Sequence, residues 1–580
     1  MDIEKLLEKV QKPARYIGNE WNASKKDFDS AKLNVALCFP DLYEIGMSHL
    51  GFKILYHLLN EQEGIVCERF FTPWSDMRHV LKEQGMPLFS LESRRALADF
   101  DIIGFSIAYE LSYTNILSIL SLSGIPFRAC ERGDNFPIII AGGVSCFNPE
   151  PIAEFFDAFF IGEAEEGILE IINTIRKFQI PNSKLQTNSK FQITNYKQNV
   201  LRELAKIEGV YIPSFYDVSY NGDGTIKSFT PKESAAPPKI KKRIVADFEN
   251  SYYPTRQIVP YIEIVHDRIS LEIMRGCPNM CYFCSASAIY WPARRRSLDM
   301  ILKQAEETYA ATGYDEISLV SLSSGDHPQI LQIAQELVAR FKPRGISISL
   351  PSLRAEDMLS GLPQLISSIK KTGLTFSLEA SSQRLRDYIN KRLDFEKLYN
   401  CISQAAKSGW RHVKIYFMLG LPTETDEDSI AIAELIDKIS RPDMNIGKPA
   451  ISVNVSISIF VPKPHTVFQL QPMLDLDTIK NHQAYLQKSL RFKGAVLKWH
   501  DSRVSFLEGV LSRGDRRLSS VILKAHELGA RFDGWKECFD LTIWQEAFKQ
   551  TGIDPAFYLY RQRSPDEILP WSHIDCSCKK

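Results

Sequence analysis

The chain predicts an α/β protein in three parts. An N-terminal doubly wound parallel sheet of Rossmann-like type spans residues 1–245, a partial (β/α)6 barrel spans 246–465, and a mainly helical C-terminal extension spans 466–580. Three observations predict this. Short apolar runs alternate with helical periodicity through the first part, as in parallel sheets with crossover helices. About six further strand–helix units begin at the apolar run ISLEIM (269–274). Beyond residue 466 the pattern is helical and broken at Gly514 and Gly529, with LKWHD (497–501) reading as a strand end.

In the first part NVALCFP (34–40) is an apolar strand entering a Pro-containing loop, and GMSHLGFKILYHLLN (46–60) has helical period. DIIGFSIAYE (101–110) and PIIIAGG (137–143) read as buried strands, and DAFFIGEAEEGILEII (157–172) as a short strand entering a helix. Glycines at strand ends let a flat or anionic ligand approach the backbone. Residues 179–199 are dominated by Asn, Gln, Lys, Ser and Thr and predict an inserted mobile loop.

In the second part RRRSLDMILKQAEETYAATG (294–313) predicts a helix capped by Ser297. DEISLVSLSSGD (315–326) is a strand with a small polar loop, ILQIAQELVARF (330–341) a helix, and GISISLPSLR (345–354) the next strand. GLTFSLEASSQRLRDYINK (373–391) is strand then helix, HVKIYFMLGLPTET (412–425) strand then turn, and DEDSIAIAELIDKIS (426–440) a helix. ISVNVSISIFVPKPHT (451–466) is the final strand of the barrel. In such barrels chemistry lies at the C-terminal ends of strands, and the distinctive loops here fall at such ends. In the third part SRGDRR (512–517) and GARFDGW (529–535) are candidates to line a substrate cleft or to be surface loops with local ion pairs.

Charge excludes little. Lys plus Arg and Asp plus Glu are 70 each among 580 residues, so the whole chain has no net attraction for nucleic acid or anionic membrane. The basic clusters are ARRRS (293–297) and SRGDRR. The charged, amphipathic start lacks a signal peptide's apolar region, and no apolar stretch approaches the ~20 residues that span a bilayer. Eleven scattered cysteines fit a reducing compartment, so a cytoplasmic protein without membrane partners is expected.

The chemistry concentrates in MRGCPNMCYFC. Cys277, Cys281 and Cys284 follow C-x3-C-x2-C on a loop at the end of the 269–274 strand. Soft thiolates suit iron–sulfur clusters and zinc, both of which usually take four protein ligands. Three thiolates on a 4Fe–4S cluster leave one iron open. A zinc site completed by His266 or a distant cysteine is the other metal reading. Cys576 and Cys578, with Cys538 and His573, offer too few ligands for a second site.

The run resembles the radical SAM motif C-x3-C-φ-x-C, with Tyr282 in the aromatic place and free to shield the cluster. The resemblance implies a 4Fe–4S cluster on Cys277, Cys281 and Cys284, as metal ligands and catalytic centre. Its open iron takes the amino and carboxylate groups of S-adenosylmethionine, and one electron cleaves the sulfonium to a 5′-deoxyadenosyl radical. It also implies cofactor contacts. Ser323, Ser324 and Asp326 sit where relatives carry a Gly-Gly-Glu loop on the methionine amine. Ser349 and Arg354 flank the third strand's end, where Arg354 suits the methionine carboxylate. Glu379 sits where relatives use a carboxylate near the sugar or methionine. Gly420 and Pro422 belong to a turn, LGLPTET, similar to the Gly-x-Pro-x-Glu turn beside adenine.

DIIGFSIAYE, IIIAGGVSCFNPEP and DAFFIGEAEE resemble the cobalamin-binding domain that precedes many radical SAM cores. The D-x-H-x-x-G signature is absent, since neither His49 nor His57 has the required neighbours, and a purely structural sheet is the alternative. From DLYEIGMSHLGF to ARFDGW the chain resembles an uncharacterised bacterial group of such fused-domain proteins. The expected function is radical generation for methyl transfer or related chemistry on an unidentified substrate, RNA and ribosome-associated proteins among the candidates. The expected electron donor is a flavodoxin or ferredoxin. Two alternatives remain: a methylthiotransferase-like enzyme, although Cys38, Cys67, Cys130 and Cys146 are too dispersed to match its second cluster, and an iron–sulfur RNA- or ribosome-binding factor without turnover.

Overall fold

Buried β-branched and aromatic runs set the first sheet. β1 (Leu33–Phe39), β2 (Ile65–Phe71), β3 (Ile102–Ser106), β4 (Ile138–Gly142) and β5 (Ala158–Phe160) are buried nearly throughout, as expected of strands covered on both faces. A computed structural model describes residues 3–178, 195–349, 374–407, 409–489 and 494–576. These strands pair in parallel in the order β2-β1-β3-β4-β5, and β6 (Val210–Tyr211) adds an antiparallel edge. The order is that of a flavodoxin-like doubly wound sheet, with its topological switch point between β1 and β3. A hairpin of β7 (Tyr216–Tyr220) and β8 (Ile226–Pro231) follows, and β9 (Ile240–Lys241) pairs in parallel with Ile574–Asp575.

The described chain divides into two compact units. The first holds residues 1–267, 511–554 and 566–580, and the second holds 268–510 and 555–565. The stretch 466–580, set apart above as an extension, is thus shared between them. SRGDRR and GARFDGW belong to the first unit, where they pack on the C-terminal edge of its sheet. Asn148 Nδ2 donates to the carbonyls of Ser512 (3.0 Å) and Gly514 (2.9 Å), and Arg516 pairs with Glu150 at 3.0 Å. Phe532 N donates to Asn115 Oδ1 at 2.9 Å, and Trp535 Nε1 to Asp41 Oδ1 at 2.9 Å. Asp41 follows β1 and Asn115 opens the helix after β3, so this segment closes the switch-point crevice.

In the second unit β10 (Ile269–Glu272) leads to β11 (Met274–Arg275), which pairs antiparallel with β12 (Arg294–Arg295). The helix expected from 294 therefore starts at Leu298, and Ser297 caps it by accepting from Met300 N at 3.2 Å. β13 (Glu316–Val320) and β14 (Ser347–Ser349) continue a parallel sheet in the order β10-β13-β14. β15 (Leu374–Glu379), β16 (His412–Leu419), β17 (Ser452–Ile459) and β18 (Ala495–Trp499) form a second parallel sheet in chain order. Among the described residues no barrel closes. The seventh parallel strand, β18, includes the LKW of LKWHD. Arg354, Cys578 and most of the 179–199 stretch lie outside the described residues, although a helix starts at Tyr196.

Candidate active site

The cysteine loop leaves β11 through Gly276, at φ +88°. A Cβ there would come within 2.5 Å of the Tyr290 carbonyl oxygen and 2.8 Å of Ala293 Cα, so the turn admits only glycine. Arg275, nearly buried, holds Glu272 through Nε (3.0 Å) and Nη2 (2.8 Å), a two-point ion pair that fixes the strand end. Cys277, Cys281 and Cys284 follow, each half-buried.

A set of polar ties positions the loop. Asn279 Nδ2 donates to Cys277 Sγ (3.3 Å) and to Asp326 Oδ2 (2.7 Å), joining the cysteines to the loop after β13. Ser323 Oγ donates to the same Asp326 oxygen at 2.6 Å. Asn390 Nδ2 donates to the Met280 carbonyl at 2.9 Å, and Tyr282 N to the Ile389 carbonyl at 3.0 Å, so the segment after β15 clamps the loop. Phe468 N donates to the Tyr282 carbonyl at 3.2 Å. The Tyr282 ring meets Phe468 edge-on at 5.9 Å, and Phe283 packs against the apolar cluster of Leu385, Ile389, Leu421, Phe460 and Phe468.

Electrostatics favour charge compensation here. Burial pushes the Cys281 thiol up to about 11, and the charges of Cys284 and Cys277 push the same way, while Lys391 opposes them. Burial also raises the Cys284 thiol, against hydrogen bonds from the Ala286 and Ser287 amides. Lys391 Nζ lies 3.7 Å from Glu379 Oε1, whose pKa burial raises and Lys391 lowers. Glu379 sits at a register shift in β15 with φ +66°; Met280, Asn390 and Thr423 also have positive φ. Left-handed backbone at non-glycine residues stores strain and collects at functional sites.

The predicted residues are placed as follows. Ser323 and Asp326 face Asn279. Ser324 is buried, its Oγ 2.9 Å from Ser321 Oγ. Ser349 ends β14 and is buried. Gly420 follows β16 with φ +85°. The amides of Gly420 (2.5 Å) and Leu421 (3.0 Å) donate to Glu424 Oε2, so the turn containing Pro422 is built on that carboxylate. Burial raises the Glu424 pKa to about 7 despite those donors. Arg384 reaches Asp428 and the Thr423 carbonyl (2.9 Å), bracing the same turn. Sequence reasoning missed Asn279, Asn390 and Lys391. Asn279 lies inside the cysteine motif and was open to notice; the other two carry no spacing signal.

Among the described residues no three His, Cys, Asp or Glu side chains already stand in a metal-ligating array. The donor set nevertheless fits a 4Fe–4S cluster: three soft thiols on one loop, within electrostatic reach of one another and beside a lysine.

Fold and site together place a loop of three cysteines at the strand ends of an open parallel α/β core. Residues 51–213 match the N-terminal family of radical SAM proteins, and residues 271–436 match the Radical SAM superfamily. An uncharacterised protein of Methanocaldococcus jannaschii is 30% identical over 84% of this chain and 90% of its own length. The chain belongs to the radical SAM superfamily. The ribosomal protein uS12 methylthiotransferase RimO of Desulfotalea psychrophila is 23% identical over 48% of this chain, which spans 61% of that relative. In fold the chain is similar to the radical S-adenosylmethionine methyltransferase TsrM of Kitasatospora setae, solved with cobalamin and a 4Fe–4S cluster. That likeness covers 76% of this chain and 77% of TsrM, at 15% identity and a TM-score of 0.50. The family uses a 4Fe–4S cluster and S-adenosylmethionine and needs a reductant. Among the described residues no helix is long and apolar enough to cross a membrane.

Proposed function

We propose that Cys277, Cys281 and Cys284 hold the cluster and that the strand-end loops around them hold S-adenosylmethionine. The observation that carries this is Asn279, whose one amide group touches both a cluster cysteine and Asp326. It sets the cysteine loop and the expected methionine loop in register. A cluster held there would supply the electron for reductive cleavage of S-adenosylmethionine.

The residues of this chain do the rest. Metal binding requires deprotonated thiols, and the Lys391 cation favours the thiolates of Cys281 and Cys284. Asp326, accepting from Ser323 and Asn279, presents a carboxylate for the methionine ammonium. Glu379 and Lys391 offer a paired acid and base at the sugar or methionine end. The turn at Gly420–Pro422, stiffened by Glu424, offers backbone beside adenine. Tyr282, itself exposed, meets Phe468 in an aromatic contact at the loop.

The product class we propose is methylation or related radical modification, with a flavodoxin or ferredoxin as donor. Cobalamin, which TsrM carries, would by the rule for doubly wound sheets take the C-terminal edge of β1 and β3. That crevice holds Phe532 and Trp535. His49 Nδ1 is engaged with Phe52 N at 3.2 Å, and burial pushes His49 down to about 4 and His57 to about 3. A corrin at this edge would require the 530–535 segment to move aside. Methylthiolation would call for a second cluster, and the four N-terminal cysteines are dispersed: Cys38, Cys67 and Cys146 are buried and Cys130 is exposed. An RNA substrate finds little basic surface in the two clusters. Arg296 and Arg513 are buried, Arg516 pairs with Glu150 and Arg517 with Asp515.

The test is an anaerobic assay of the iron- and sulfide-reconstituted protein with S-adenosylmethionine and dithionite. 5′-Deoxyadenosine is expected from the native chain and none from the Cys277→Ala/Cys281→Ala/Cys284→Ala variant. A fully loaded, reducible cluster that yields none, with candidate substrates present, supports the binding-factor reading instead.

A further inference from the structure

A cavity lies within the first unit. It has a volume of about 190 Å³ and opens where β2 ends. Thr72–Ser75 and Arg78 form one side, Ser118 and Leu122 of the helix Tyr113–Leu122 another, and Gly529, Arg531, Phe532 and Cys538 the third. It lies beyond the C-terminal end of the edge strand β2.

Its charge is one-sided. Two guanidinium groups line it, and no carboxylate does. Arg78 has no ion pair among the described residues. Arg531 donates through Nη1 to the carbonyls of His526 (2.6 Å) and Ala530, while its buried Nε has no partner. The carboxylate nearest in effect, Asp533, is committed elsewhere: its oxygens accept from Thr114 (2.6 Å) and Trp544 (2.8 Å). Burial, then the charge of Arg78, pushes Arg531 down to about 10, and Asp533 only partly opposes this. His526 beside them is held neutral, at about 3, by burial and then by Arg531, Lys82 and Arg78. Glu537 and Asp533 act on Cys538, at the cavity's other end. Two like charges facing one cavity repel, and an anion between them turns that repulsion into two charge-assisted hydrogen bonds. Trp74 and Phe532, with ring centroids 5.0 Å apart, supply an aromatic wall.

We propose that this cavity binds a small organic anion, a phosphate or carboxylate held by Arg78 and Arg531 with its flat apolar body against Trp74 and Phe532. Cys538 gives a local readout. In the full-length protein, iodoacetamide labelling of Cys538 is followed by peptide mass spectrometry with phenyl phosphate, benzoate or inorganic phosphate present, and isothermal titration calorimetry measures the same probes. Phenyl phosphate or benzoate is expected to slow labelling saturably and more strongly than inorganic phosphate; the better of the two identifies the head group. Arg78→Gln, on a partly exposed helix, is expected to keep the native Tm and weaken the protecting probe about ten-fold. Labelling and calorimetry indifferent to all three probes, or protection unchanged in Arg78→Gln, would overturn the proposal.

Discussion

Single residues carry the site more than their types suggest. Gly276→Ala adds strain of about 1–3 kcal/mol for positive φ and a clash with the Tyr290 carbonyl. Iron retained per chain after reconstitution should fall sharply while the first unit melts as before. Asn279→Asp sets a carboxylate against Asp326 and Cys277, whereas Asn279→Ala only removes two hydrogen bonds. The aspartate variant should lose more deoxyadenosine yield than the alanine variant, about ten-fold more if the repulsion reaches 1.4 kcal/mol. Glu424 gives a pH test. Its folded pKa, about 7, is above the unfolded value, so between pH 4.5 and 7 the unfolded chain releases a proton that the folded one keeps. Stability from this group is therefore lost as pH rises through that window. The Tm difference between Glu424→Gln and the native protein should shift in favour of glutamine from pH 5 to pH 8, and a constant difference would count against the assignment.

Among elements, β2 shows why part of the fold was not legible. Its sequence, IVCERFF, breaks an apolar run with Glu68 and Arg69, and no strand was read there. The structure buries both. Arg69, fully enclosed, pairs with Glu20 at 2.6 Å and Glu92 at 2.7 Å, so its charge is neutralised by residues far off in sequence. Replacing it with Met leaves two buried carboxylates unmatched and should cost about 3–5 kcal/mol, read as a fall in the denaturation midpoint. β1, β3, β4 and the parallel strands β10, β13, β15, β16 and β17 were legible because they are apolar runs in the sequence itself. The ARRRS cluster misled in the opposite way: backbone pairing with β11 draws Arg294 and Arg295 into a strand, which side-chain periodicity does not reveal.

At the scale of the whole chain, the cysteine motif and strand-end loops announced the family, but the fate of the last hundred residues depended on long-range contacts that no local pattern encodes. Asp533 and Trp535 look like surface loop residues in sequence, yet they bond Thr114 and Asp41. A chain ended at residue 510 should lose protection of β1 and β3 amides in hydrogen exchange, because the first unit requires 511–554 and 566–580. Unchanged protection would show that the sheet stands without them. The same interruption bears on how the protein is made. The first unit's sheet leaves the ribosome early, while the residues that close its edge come after the entire radical SAM core. At ~5–20 residues per second the wait is on the order of tens of seconds. Throughout that interval the nascent sheet shows an unfinished edge, and the core must fold while its flanking domain is still incomplete. Slower translation across residues 268–510 lengthens that exposure and is expected to lower the soluble yield.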